Sequence, residues 1–141
     1  MTIKEIQEEI VEEFEMFDDW MERYEYMIDL GKSVPVIDEQ YKTDGNLIKG
    51  CQSNVWLHSE LKGDTIYFTA DSDAIITKGI VAVLLRAFNN QPPKEILEAD
   101  LSYIDKIGLK EHLSATRANG LVSMVKQIKL YALGMQSKLN A

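Results

Sequence analysis

The chain has 141 residues, of which 45% are hydrophobic, as is usual for a single domain with a continuous core. We therefore expect one domain over residues 1–141. The 23 acidic residues outnumber the 15 basic ones and give a formal charge of -8, which would repel the phosphates of nucleic acids and of anionic membranes. Neither nucleic acid nor a membrane is therefore an expected partner.

The sequence also favours a cytoplasmic location. Residues 1–5 have neither the basic start nor the apolar centre of a secretory leader. No stretch approaches the roughly 18 uncharged apolar residues that span a membrane. In a reducing compartment the thiol of Cys51, the only cysteine of the chain, would stay free.

Two amphipathic helices are predicted at the start of the chain. Thr2 and Glu5 have the spacing of a capping box, and apolar residues then recur every three or four positions through Phe17. Asp18-Asp19 indicates a second helix start, and Gly31 its end.

A connection and a small antiparallel sheet are predicted next. Residues 32–50 contain Pro35 and Asp44-Gly45, and this length indicates either short strands or a functional loop. Residues 55–61 alternate in polarity, Lys62-Gly63-Asp64 forms a turn, and residues 66–69 are again rich in β-formers. If Leu47-Ile48-Lys49 adds a short strand, the sheet has three strands and Cys51 lies between two of them.

Helices are predicted for the rest of the chain. Asp71 or Ser72 is expected to cap the next helix, with Asp73 complementing the positive end of its dipole. Gly79 inside that helix costs ~1 kcal/mol relative to alanine, which indicates the close approach of another backbone. Short helical segments follow at residues 93–97 and 104–109, and a long helix begins near Ser114, with residues 136–141 as a tail. The expected fold is α+β, with helices packed on a small antiparallel sheet.

Cys51 is the most specific reactive group of the chain. A single cysteine forms neither an internal disulfide nor a thiolate metal cage, and two scattered histidines add no paired ligand spacing. The thiol is therefore a packing residue, a nucleophile or a temporary carrier of a group bound to sulfur. Gly50 before it and Gln52-Ser53 after it place it on a turn, where backbone amides can stabilise a negative charge on sulfur.

A cysteine hydrolase would need a base beside the thiol and a third group that orients the base. The candidate bases are His58 and His112. His58 lies seven residues along an extended strand, too far for direct contact at ~3.3 Å per residue, and His112 can approach only through the fold. A hydrolase, and a passive interaction domain with a structural Cys51, stay open as alternatives.

Four ordered motifs resemble the SufE family of sulfur acceptors, in register over nearly the whole chain. They are GCQSNVWL at residues 50–57, ADSDA at 70–74 with Lys78-Gly79, residues 108–114 from Gly-Leu to His-Leu-Ser, and Arg117 with NGL at 119–121. One departure is Ala115, where the family often has proline. Because proline there only pre-sets the first helical turn, the helix start should be unaffected.

The resemblance implies the fold that this family shares with IscU-like cluster scaffolds, without the scaffold's metal-binding cysteines. It places Cys51 where the family accepts a persulfide sulfur from a SufS-like cysteine desulfurase, which it stimulates, before passing the sulfur to a SufBCD-like iron–sulfur scaffold. Such a protein is an accessory and not an independent enzyme. No cofactor is expected, because pyridoxal phosphate belongs to the desulfurase, and the free protein is expected to be a monomer or weak dimer.

Residues around Cys51 are expected to support it. Gly50, Gln52 and Ser53 form its turn, and Arg117 either stabilises the sulfur anion or forms a structural ion pair with Asp71 or Asp73. The same two carboxylates are secondary candidates for partner contact. Because a persulfide needs shelter from reductants, we expect Cys51 to be tucked toward apolar side chains and to swing outward at the donor, with Gly45 and Gly50 allowing the movement.

Overall fold

Two helices open the fold, as predicted. The computed structural model describes residues 1–51 and 53–140, with the side chains of residues 110, 115 and 116 outside the description. Helix α1 spans Ile3–Glu15, and its capping box joins Thr2 and Glu5 in both directions. Helix α2 spans Trp20–Gly31, and the side chain of Asp19 accepts the backbone amide of Glu22.

A single antiparallel hairpin forms the sheet in the described part of the chain. Strand β1 (Val55–Lys62) pairs with strand β2 (Thr65–Ser72) along its whole length. Gly63 adopts a φ of 67° in the two-residue turn, a conformation that glycine takes without steric cost. The alternating side chains of β1 bury Val55 and Leu57, so the predicted hairpin and its turn are confirmed.

The predicted third strand is reduced to an isolated bridge. Leu47 pairs only with Trp56, and the amide of Ile48 donates to the carbonyl of Val55 at 2.8 Å. The reason is local: a 3-10 turn at Asp44–Asn46 precedes this segment, and a turn at Gly50 with φ 94° follows it. Within the described residues the sheet therefore has two strands, and Cys51 follows a bridge rather than a strand.

The connection before Cys51 is fixed to the sheet at several points. Its first part pairs with β2, where the amide of Ala70 donates to the carbonyl of Pro35 at 2.8 Å. A 3-10 turn at Glu39–Tyr41 follows, and the Nζ of Lys42 lies 2.7 Å from a carboxylate oxygen of Asp71. These contacts hold the part of the connection before Gly45 against the sheet, and the outward swing of Cys51 stays a prediction.

Helix α3 is the centre of the core. It spans Ile75–Phe88, is buried over most of its length, and packs on α1, on α2, on β2 and on the last helix of the chain. Its predicted capping is corrected: Asp71 and Ser72 belong to β2, the N-cap is Ala74, and no side chain caps the helix. Instead, Ser72 Oγ accepts the Ala74 amide at 3.3 Å.

A close helix crossing explains Gly79. A Cβ built on Gly79 would lie 2.5 Å from the carbonyl oxygen of Met27 in α2, and one built on Gly31 would lie 3.0 Å from the nitrogen of Gly79. Real Cβ atoms essentially never approach to 2.5 Å and rarely to 3.0 Å, so both glycines let α2 and α3 touch. The predicted backbone approach at Gly79 is confirmed.

The C-terminal part is helical. Three short helices, α4 (Pro93–Glu98), α5 (Ser102–Lys106) and α6 (Leu109–His112), lead to the long α7 (Ala115–Asn140). Helix α7 includes residues 136–140 of the predicted tail, and Ala141 lies outside the described residues. None of the described helices is both long and apolar enough to cross a membrane. The face of α7 toward the core contains Leu121, Met124, Ile128 and Ala132, with Tyr131 and Met135 half-buried.

Candidate functional site

The turn that holds Cys51 rests directly on α7. A Cβ on Gly50 would lie 2.5 Å from Ser123 Oγ, and one on Gly120 would lie 3.5 Å from Cys51 Sγ. The thiol donates to the carbonyl of Gly120, with 3.7 Å between sulfur and oxygen. Glycines on the turn and on the helix thus allow the chain at Cys51 to approach α7 closely, which gives the expected supporting role of Gly50 a steric basis.

The surroundings of Cys51 in this conformation favour the protonated thiol over the thiolate. Cys51 is half-buried and packs against the hydrophobic core, as expected for a sheltered thiol. Burial raises the pKa of Cys51, because the thiolate loses solvation. The Gly120 carbonyl is an acceptor, so its contact also favours the thiol. The predicted help from turn amides has no counterpart among the described contacts, and Gln52 lies outside the described residues.

A cavity of about 180 Å³ opens beside the sulfur. Its wall is apolar on the side of the core, where Ile76, Ile80 and Met124 contribute. Its polar lining comes from Ser53, Thr77 and Arg117. Because a water molecule occupies ≈ 30 Å³ of liquid, the volume can take an added sulfur atom of similar size and solvent as well.

Two hydroxyl groups face each other in this cavity. Ser53 Oγ and Thr77 Oγ1 are 3.1 Å apart, and Thr77 is only 6% exposed. The expected supporting residue Ser53 is therefore at the site. The sequence did not lead us to predict Thr77 as a site residue, although it stands out there as an isolated hydroxyl within the apolar run of α3.

Arg117 lines the same cavity, in the first turn of α7. Its backbone amide donates to Ser114 Oγ at 3.3 Å, as expected for a helix that begins near Ser114. Within the described residues its exposed guanidinium has no ion-pair partner. The structural alternative for Arg117, a pair with Asp71 or Asp73, is therefore wrong.

The two carboxylates have other partners. Asp71 contacts Lys42 at 2.7 Å and Lys78 at 3.3 Å. Its burial opposes ionisation, but the hydrogen bonds from Lys42, the Ser72 amide and Lys78 outweigh burial, so the pKa of Asp71 is lowered. Lys42, which no sequence pattern singled out, also lies 5.3 Å from the ring centroid of Trp56.

Asp73 binds Asn54, the residue before β1, at the surface of the protein. Its two carboxylate oxygens accept the backbone amide of Asn54 at 3.1 Å and the Asn54 side-chain amide at 2.9 Å. The sequence predicted only that Asp73 complements the dipole of α3. In the structure it also accepts these two hydrogen bonds from Asn54. Partner contact by Asp71 and Asp73 stays a prediction.

Neither histidine is a base for Cys51 in this structure. His58 stacks on Tyr41 with 3.7 Å between ring centroids, and His112 stacks on Trp20 at 4.4 Å. Among the described residues that line the Cys51 cavity there is no histidine. The described residues also contain no group of three or more side chains that could hold a metal ion. The site thus offers a thiol, hydroxyls and a guanidinium.

Comparison with known proteins gives consistent matches over nearly the full length. Residues 8–132 match the family model SufE, described as an Fe-S metabolism associated domain. An uncharacterized SufE-like protein of Rhizobium meliloti is 42% identical over 132 residues, covering 90% of this chain and 94% of that protein. Another from Rhizobium etli is 43% identical over 127 residues, covering 86% of each.

A solved structure shows the same fold. The solution structure of a hypothetical protein from Thermus thermophilus matches with a TM-score of 0.78 at 16% identity, covering 94% of this chain and 96% of that one. At this identity the likeness concerns the fold alone. The expected α+β fold, a small antiparallel sheet packed with helices, is confirmed.

Proposed function

The chain belongs to the SufE family, whose domain is associated with Fe-S metabolism, and on that basis we propose that it accepts sulfur from a SufS-like cysteine desulfurase on Cys51 and passes it to a SufBCD-like scaffold. The observation that carries this proposal is the position of Cys51. The only thiol of the chain lies on a glycine turn against α7, half-buried, with a cavity beside its sulfur.

The transfer is an exchange between sulfur atoms and needs no oxidant. The thiolate of Cys51 attacks the outer sulfur of the donor's persulfide, the donor's S–S bond breaks, and the donor cysteine leaves as a thiolate. The Cys51 proton ends on the donor thiol, so that a thiol and a persulfide exchange places. The step back to an acceptor thiol has the same form.

The attack requires a change in the surroundings of Cys51. Because burial raises its pKa, the thiolate is scarce while the turn rests on α7. Moving the turn outward at the donor would solvate the sulfur, lower its pKa and give it access. The protein then stimulates the desulfurase by regenerating the free donor thiol for the next turnover.

The absence of a second cysteine suits a carrier. A neighbouring thiol could attack the stored persulfide, form a disulfide and release sulfide, and this chain contains none. The residues near Cys51 that the structure describes also lack a hydrolase base, since both histidines stack on aromatic rings elsewhere. The observations therefore favour a carrier over a cysteine hydrolase.

The proposal is tested by loading the protein. Purified protein is incubated with a pyridoxal-phosphate cysteine desulfurase and cysteine, and its intact mass is measured. We expect the gain of one sulfur atom on Cys51, reversed by a reductant and absent in Cys51→Ala, together with faster desulfurase turnover. If the wild-type protein gains no sulfur from SufS-like desulfurases while they consume cysteine, the proposed function is wrong.

A further inference from the structure

We propose that the hydroxyls of Ser53 and Thr77 form a binding site for the outer sulfur of the Cys51 persulfide. This inference rests on the proposed function and adds residues that hold the cargo. Both hydroxyls line the cavity beside Cys51, and Thr77 reaches it from α3, whereas the turn of Cys51 rests on α7. The outer sulfur of a persulfide extends one bond beyond Sγ, so it enters this cavity when the turn rests on α7.

The Ser53 and Thr77 hydroxyls together have one proton that is not used in the hydrogen bond between them. Each hydroxyl has one proton, and the 3.1 Å contact between Ser53 Oγ and Thr77 Oγ1 uses only one of the two. In the described residues neither hydroxyl has another hydrogen-bond partner. The second proton is thus available to an acceptor in the cavity.

The setting of Thr77 strengthens its contribution. A buried threonine in a helix commonly satisfies its hydroxyl on the carbonyl one turn earlier. Here the described hydrogen bond of Thr77 reaches across to Ser53 instead, beside the cavity. With Ile76, Ile80 and Met124 on the same wall, water is partly excluded, and a hydrogen bond to an anionic sulfur is correspondingly strong. The guanidinium of Arg117 at the cavity adds a positive charge, which is opposite in sign to the sulfur anion.

The bound form should resist discharge by small thiols. In that reaction an external thiolate attacks the outer sulfur, the Cys51 S–S bond breaks, Cys51 leaves as a thiolate, and the sulfur moves to the attacking thiol. A negative charge on the outer sulfur repels the attacking thiolate. Hydrogen bonds that stabilise this anion lower the pKa of the persulfide and slow the loss of sulfur.

Variants of the two hydroxyl residues test the site directly. Wild-type protein, the double variant Ser53→Ala/Thr77→Val and Thr77→Ser are loaded chemically with sodium polysulfide, and loss of the sulfur to glutathione is followed by intact mass over a range of pH. The double variant removes both hydroxyls, because either one alone would still have a proton to donate to the sulfur, and Thr77→Ser keeps both hydroxyls. Thr69→Val, at a half-buried threonine of β2 that does not line the cavity, is the matched control.

We expect the double variant Ser53→Ala/Thr77→Val to lose its sulfur about tenfold faster, the rate equivalent of a hydrogen bond to a charged group, and its pH profile to move to higher pH. Thr77→Ser and Thr69→Val should behave as the wild type. Equal rates and profiles for the wild type and the double variant would overturn the inference, as would equal acceleration in Thr77→Ser. Either result leaves desulfurase loading of Cys51 intact, whereas failure of the proposed function would appear as no loading of the wild type by the desulfurase.

Discussion

The chemistry of Cys51 is set by its immediate neighbours. Apolar packing and the Gly120 carbonyl favour the protonated thiol, while glycine at position 50 allows the turn to lie against Ser123. A carrier needs such a residue to be unreactive alone and reactive at its partner. The free protein should therefore protect the thiol in a way that alkylation can measure.

Alkylation of Cys51 should begin at higher pH in the folded protein than in the unfolded chain. Burial raises the pKa of the thiol, so the reactive thiolate of the folded protein forms at a higher pH than that of an exposed cysteine. The rate of iodoacetamide labelling is measured against pH, in buffer and in urea, by intact mass. A bulky maleimide should label the folded protein slowly and faster once desulfurase is added. Identical pH profiles in buffer and urea would contradict this expectation.

Arg117→Ala should slow the loading of Cys51 by the desulfurase more than it lowers stability. The guanidinium lines the sulfur cavity and forms no ion pair with the described residues, so its loss should change the unfolding free energy by at most ~0.5 kcal/mol. Loading should slow by about tenfold, the expected effect of removing a positive charge that lies beside the sulfur anion.

Arg23→Ala is the matched control for Arg117→Ala. Arg23 donates to the carbonyls of Phe17 and Ile107, far in sequence from each other, so its removal should lower the melting temperature and leave loading unchanged. The opposite ordering, with Arg117 mattering for melting and not for loading, would place Arg117 in a structural role.

At the scale of elements, α3 packs closely on α2 with one face and supplies one wall of the Cys51 cavity with residues Ile76, Thr77 and Ile80. Gly79→Ala should destabilise the fold by about 1–3 kcal/mol, the usual cost of overpacking, because its Cβ would lie 2.5 Å from the Met27 carbonyl oxygen. Urea unfolding measures the change.

Gly134→Ala provides the comparison for Gly79→Ala. Gly134 lies in α7, is exposed, and a Cβ there meets no atom within 4 Å. With no clash, alanine should stabilise the helix by up to ~1 kcal/mol through its higher helix propensity. Stabilisation by both substitutions would show that the two helices do not need the contact at Gly79.

The sequence predicted those elements whose signals lie close together in the chain. The Thr2 capping box, the Asp19 cap and the turn at Gly63 depend on residues a few positions apart, and all are present. The capping of α3 and the lack of an ion pair at Arg117 within the described residues depended on parts of the chain that are distant in sequence. Lys42 contacts Asp71 across a long stretch of sequence, and neither spacing nor composition predicts such a pair.

The site was predictable to a similar extent. Cys51, Ser53 and Arg117 were found from motifs, and the structure brings them to one cavity. Thr77 and its hydrogen bond to Ser53 depend on how α3 rotates against the turn, which is settled by packing of the whole core. The same holds for the third strand, which is shortened by turns on both sides of Leu47.

At the scale of the whole molecule, charge pairs connect parts that are distant in sequence. Arg86 of α3 donates to Glu13 of α1 at 2.7 Å and to Glu9 at 3.2 Å, and Tyr26 of α2 donates to the same Glu13. These three helices thus meet at one carboxylate. In a chain with a formal charge of -8, a partly buried cation at this point also reduces the repulsion between acidic residues.

The Arg86 cluster should make stability depend on pH in the acidic range. The hydrogen bond from Arg86 is the largest influence on Glu13, and together with that of Tyr26 it outweighs the effect of burial, so the pKa of Glu13 lies below its ordinary value of 4.5. A carboxyl whose pKa is lowered on folding contributes stability above its unfolded pKa. This contribution is lost as the pH falls through the folded pKa.

Arg86→Met should therefore cost about 1 kcal/mol of unfolding free energy at neutral pH, and clearly less at an acidic pH below the folded pKa of Glu13, where the carboxylate has gained its proton. Urea unfolding at the two pH values measures both costs. Lys32→Met is the matched control, because it removes one positive charge from an exposed pair with Asp29 and should change stability little at either pH. If Arg86→Met costs the same at both pH values, the side chain stabilises the helices by packing, since an ion pair must lose its contribution once its carboxylate is protonated.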